Sequence, residues 1–237
     1  MTTMYDPDPP TLKKGTITAF FFVIASAAFG PANFPGYWWL YGCFSVLMFF
    51  YTLYLIYRCE RFTTFTLSLL SSFVFSFGFA AAGLAHVVLL EDLAASVSEA
   101  VAVNVGLIVA MLAIYAGIYF SPSTVFPFCI TGNRVSRMLL KSAGLSAGFI
   151  SCVGTLVSAA FIGAVSELTS SAVAVLGMFF ICVALMVYER HAIRGLRSLR
   201  IKEKTLPVPY TFMQIDEIRE ARSRWWLGKL FKWVAGT

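Results

Sequence analysis

Residues 62–90 read FTTFTLSLLSSFVFSFGFAAAGLAHVVLL. The run contains no Asp, Glu, Lys or Arg. As a helix it would be about 43 Å long at 1.5 Å per residue, more than the roughly 30 Å of hydrocarbon in a bilayer. A helix that is apolar all round must be buried in a large protein or in lipid. Its excess length predicts a tilt, or a bend near Gly78 and Gly83.

Outward from this run the composition is the same. The 237 residues are 59% hydrophobic and 13% charged, where soluble domains average about 25% charged. A water-soluble fold of this size could not cover so much apolar surface. Six segments suit a span, near 15–31, 38–57, 62–90, 98–120, 142–165 and 169–188. The predicted fold is therefore all-α, a polytopic bundle of six transmembrane helices followed by a C-terminal cytoplasmic amphipathic helix. Residues 1–14 form a short cytoplasmic segment, 15–188 the transmembrane domain and 189–237 a basic cytoplasmic tail with an interfacial helix. Lys13 and Lys14 before an apolar run, with no cleavage-type small-residue site, predict a retained signal anchor.

Charge sets the orientation. The net charge is +6, and all 18 Lys and Arg fall on one side of a six-span chain. They are Lys13 and Lys14, Arg58 and Arg61, Arg134, Arg137 and Lys141, and then the tail. The opposite loops hold only Glu91, Asp92, Glu99 and Glu167. This asymmetry places both termini in the cytoplasm. It also explains the basic balance without a nucleic acid.

Between the first two spans lies Gly30-Pro-Ala-Asn-Phe-Pro-Gly-Tyr-Trp-Trp39. Pro31 and Pro35 stop a helix and the glycines allow a reversal, so a tight hairpin at the outer surface is predicted. Tyr37, Trp38 and Trp39 form an interfacial aromatic belt. A re-entrant loop is the alternative, since the first span is short.

Few groups could carry chemistry. No Asp, Glu, Lys or Arg lies mid-span, which argues against carboxylate-based pumps and intramembrane proteases. The five cysteines lack metal-ligand spacing and disulfides are not expected. No catalytic set, cofactor site or metal site is predicted, and the chain is read as a non-enzyme. Asn104 is the only mid-membrane amide and His86 lies toward the outer end of the third span; both are candidates for interhelical or pore-lining polar groups. Small residues form candidate packing faces: Gly78 and Gly83 in the third span, and Gly144, Gly148, Cys152, Thr155 and Gly163 in the fifth.

The tail has two parts. Arg190, Arg194, Arg197 and Arg200 recur at helical spacing, with Ile193, Leu196 and Leu199 on another face, as if the last span ran on into the headgroup zone. After the break at 205–210, a second helix is predicted from Thr211, with Thr211 and Gln214 as a capping box. Its end combines Arg224, Trp225, Trp226, Lys229, Phe231, Lys232 and Trp233, the mixture of an interfacial helix or partner-docking surface.

The functional expectation is a structural or accessory subunit of a membrane complex. Its partners would be the bilayer with its anionic headgroups at the inner face, and other membrane subunits or a second copy of itself. The alternative is a small homo-oligomeric channel or facilitator for a neutral or weakly charged solute.

Overall fold

The computed structural model describes residues 5–28, 36–122, 126–137 and 167–225. These residues are mostly helical, with seven helices in chain order. They are α1 (Pro9–Ala28), α2 (Tyr37–Tyr57), α3 (Phe62–Glu91), α4 (Val97–Phe120), α5 (Glu167–Tyr188), α6 (Arg190–Glu203) and α7 (Ile215–Arg224). Four helical stretches are long and apolar enough to cross a membrane: Tyr37–Tyr57, Phe62–Glu91, Val97–Phe120 and Ser171–Tyr188. That identifies a membrane-embedded helical protein. The predicted fifth span, 142–165, and the hairpin apex, 29–35, lie outside the described residues.

The first helix begins earlier than predicted. Asp8 caps it, its carboxylate accepting from the Thr11 amide at 3.0 Å and its carbonyl from the Leu12 amide at 2.9 Å. Pro9 then suits the first helical position, where a missing N–H costs nothing. Helix α1 consequently carries Lys13 and Lys14 and is less apolar than the other four. Its far end joins α2, where the Tyr37 and Tyr41 hydroxyls donate to the Ala27 and Ile24 carbonyls.

Helix α3 is the axis of the bundle and packs against α1, α4 and α5. It is one continuous helix through Gly78 and Gly83. Gly78 serves packing instead: a Cβ there would come within 1.9 Å of the Met111 sulfur on α4. Val74, Met111, Cys182 and Met186 form the mid-bundle core shared by α3, α4 and α5. At the far end, α4 starts on a capping box, the Ser96 hydroxyl accepting from the Glu99 amide while Glu99 accepts from the Ser96 amide.

A small three-stranded sheet is added to this mostly helical fold. The loop after α4 folds into strands β1 (Phe128–Thr131) and β2 (Arg134–Arg137), and tail residues Thr211–Phe212 add β3. Strands β1 and β2 pair antiparallel, and β3 pairs parallel to β2. Gly132, at φ +64, makes the two-residue turn possible. Because Thr211 is drawn into this sheet, it cannot open a helix. Helix α7 begins instead at Ile215, with no side-chain cap at Gln214. The described part of the tail folds back on the bundle instead of continuing the last span. A turn at Glu189 separates α6 from α5, and the apolar face of α6 packs into the protein.

Candidate functional site

The basic segments meet at one end of the bundle around an aromatic core. Phe212 of β3 stands edge-on to Phe62 and Phe65 in the first turn of α3, with ring centroids 5.7 and 5.2 Å apart. Phe128 of β1 meets Phe62 at 5.6 Å. Such pairs contribute about 0.5–1.5 kcal/mol each beyond their buried area. The Phe62 amide, unsatisfied at a helix start, donates to the Tyr210 carbonyl at 2.9 Å. Tyr5, Leu196, Leu199, Ile215 and Ile218 complete this core. Chain segments far apart in sequence thus form one folded cap.

Arginines tie the cap to the helices beneath it. Arg197 of α6 donates to the Phe120 carbonyl at 2.6 Å and the Tyr119 carbonyl at 3.4 Å, at the end of α4. Arg222 of α7, buried, donates to the Cys59 carbonyl just past α2 at 2.8 Å and to the Leu55 carbonyl in the last turn of α2 at 3.3 Å. A cation at a helix C-terminus meets both unpaired carbonyls and the negative end of the dipole. Burial lowers the Arg222 guanidinium from its usual range, and it also raises the neighbouring Cys59 thiol. Arg219 grips Glu60 with two bonds of 2.9 and 2.7 Å, and that hydrogen bonding holds the Glu60 carboxyl below its ordinary value. Arg134 reaches Asp216 at 2.5 Å and the Met213 carbonyl at 2.9 Å, locking the hairpin to α7.

Other cations lie outside. Arg61, Arg200 and Lys204 line a polar recess of about 350 Å³ over the start of α3, together with Thr64, Glu203 and a Pro-rich turn. All three are exposed and none makes an ion pair among the described residues. Arg58 is exposed as well.

The predicted tail residues therefore separate. Arg197 is structural, Arg200 faces outward, and Arg190 contacts the His191 ring. Arg194 is half-buried, its Nε without a partner among the described residues. Arg224 pairs with Glu220. Trp225 stands edge-on to Tyr57 at 5.7 Å under the Lys13 ammonium at 5.3 Å, joining α1, α2 and α7. Trp226, Lys229, Phe231, Lys232 and Trp233 lie outside the described residues, as do Gly144, Gly148, Cys152, Thr155 and Gly163.

Within the bundle, His86 and Asn104 both sit on the α3–α4 seam, buried. His86 lies against the backbone at Ala100, one turn from Asn104, with neither ring nitrogen in hydrogen-bond geometry to a described residue. Gly83 and Asn104 line a common cavity. Among the described residues, no group of three His, Cys, Asp or Glu is arranged to hold a metal.

Sequence reasoning missed β1, β2 and the role of Tyr210 and Phe212. Gly132-Asn133 between Phe-Cys-Ile-Thr and Arg-Val-Ser-Arg was the signal for the hairpin. Nothing local marks residues 210–212 as a strand. No family model, characterised protein or solved structure matches this chain.

Proposed function

We propose that the chain is a non-enzymatic, multi-pass membrane protein that serves as a structural or accessory subunit of a membrane complex. It has six spans, α1, α2, α3, α4, residues 142–165 and α5, with both termini and the cap in the cytoplasm. The positive-inside charge distribution supports that orientation. The observation that carries the functional reading is the cap itself. A folded unit built from the N-terminal segment, the α2–α3 turn, the loop after α4 and the tail leaves Arg58, Arg61, Arg200 and Lys204 exposed on its surface. Cations held on a rigid base suit an acidic partner surface, because little side-chain and loop entropy is lost on docking. Anionic headgroups beside the cap add to the same attraction.

A solute channel has less support. Two cavities between the described helices are walled mainly by aromatic and aliphatic side chains, and Phe44 and Phe79 line both.

The test is the native mass of the gently extracted protein at natural expression level. The proposal expects other polypeptides in fixed ratio. It also expects the triple variant Arg61→Gln, Arg200→Gln, Lys204→Gln to insert normally and lose those polypeptides. A chain recovered alone as a symmetric homo-oligomer overturns the proposal, as does full retention of partners by an inserted triple variant.

A further inference from the structure

The polar recess at the start of α3 gathers Arg61 from the α2–α3 turn with Arg200 and Lys204 from the end of α6. All three cations are exposed and none is in an ion pair among the described residues. The lining carboxylate, Glu203, is already engaged: its Oε2 accepts from the Thr63 hydroxyl at 2.6 Å, and its Oε1 is buried. Three cations and one carboxylate leave two positive charges around the recess. Thr64 brings the first turn of α3 to the same wall. With it come amides that have no acceptor inside the helix, and the positive end of the helix dipole. Cations converging over a helix start make a site for phosphate. Sequence sets its depth. Arg61 immediately precedes the charge-free run 62–90, so the recess lies where α3 passes from headgroups into hydrocarbon. The turn at its edge carries Leu206 and Val208, both exposed. A phosphate site with an apolar edge at that depth fits an amphiphile.

We infer that this recess binds a lipid whose headgroup is a phosphate monoester. At pH 7 a monoester carries about −1.5 to −2 charges on three acceptor oxygens. That matches the two positive charges and the three cationic donors of the recess. A phosphodiester, with a single charge, leaves the recess cationic. The Arg61 and Arg200 guanidiniums suit paired bonds to phosphate oxygens, and Lys204 adds a point charge. Leu206 and Val208 then lie beside the acyl chains. The inference rests on the reading of the cap as a rigid basic surface at the cytoplasmic leaflet, and it names the anion that this part of the surface takes. A lipid seated there forms part of the surface that a partner meets.

The experiment reads lipid binding by the purified full chain with no other polypeptide present, so its outcome is independent of whether a protein partner exists. Native mass spectrometry from detergent compares dioleoyl phosphatidic acid, a monoester, with dioleoyl phosphatidylglycerol, a diester on the same tails. Phosphatidic acid is expected to bind about tenfold more tightly, the worth of one charge-assisted hydrogen bond at the lower end of its range. Glycerol 3-phosphate, the same headgroup without tails, should bind about tenfold more weakly than phosphatidic acid, having no apolar contact with the edge. The double variant Arg200→Gln, Lys204→Gln should bring phosphatidic acid down to the phosphatidylglycerol level. The double variant Lys14→Gln, Arg190→Gln removes as much charge from exposed positions outside the recess and should leave binding unchanged. Equal affinity for the two lipids in the unaltered protein overturns the inference without reference to any variant. Glycerol 3-phosphate binding as tightly as phosphatidic acid places the ligand in water and overturns the lipid assignment. An equal response of the two double variants overturns the recess as the site.

Discussion

Ala94 is the one described non-glycine residue with positive φ, at 50°. It follows α3, where the Ala95 amide returns to the Leu89 carbonyl at 2.9 Å and closes the helix. A Cβ in the left-handed region costs roughly 1 kcal/mol, and glycine avoids it. Ala94→Gly should therefore stabilise the protein by up to about 0.5 kcal/mol, since glycine's greater freedom when unfolded offsets part of the relief. Thermal unfolding in detergent reads the shift, and a fall in Tm would show that α3 does not end this way. Glu60 makes a second case at the same scale. Its folded value is depressed by Arg219, so the pair's contribution is complete above the ordinary value of 4.5 and is lost as pH falls through the lower folded value. Both groups are more than a third exposed, so screening keeps the contribution below about 1 kcal/mol. An acid titration of stability should show Arg219→Met losing part of the wild-type slope just below pH 4.5 and little above it.

At the scale of elements, α6 and β1 meet more tightly than a helix and strand usually do. A Cβ on Gly195 would stand 2.8 Å from both the Phe128 ring and the Pro127 ring. Neither ring has a flexible end to move aside, so Gly195→Ala should destabilise the cap by about 1–3 kcal/mol. Limited proteolysis of the tail would read that loss, and an unchanged cleavage rate would mean that α6 does not rest on β1. The legibility of these elements in the sequence divides along the same line. Helices α2, α3 and α4 were plain because continuous apolar runs leave one choice in a bilayer. The arginine spacing of α6 was equally plain, and Ile193, Leu196 and Leu199 are its buried face. What that face packs against was not legible. An amphipathic period reports that one side is covered, and lipid and protein cover it alike. Thr211 misled for a related reason, since a capping pattern is local and its partner Asn133 lies 78 residues away in the loop after α4. Asn104 was visible as a lone amide, but its cavity depends on how far α2 stands from α4.

At the scale of the molecule, the proposed membrane bundle carries its basic end as a single folded cap on the cytoplasmic side, with the α3–α4 turn on the other. Two single-cysteine proteins test it, each with the remaining cysteines replaced by alanine. One keeps Cys129, exposed on β1 in the cap. The other carries Leu93→Cys, at an exposed position in the α3–α4 turn that spares the Ser96 capping box. Each is treated with a membrane-impermeant maleimide in intact cells and again after permeabilisation. The account predicts that position 93 labels in intact cells and that Cys129 labels only after permeabilisation. Labelling of Cys129 in intact cells, or of both positions from the same side, would contradict it.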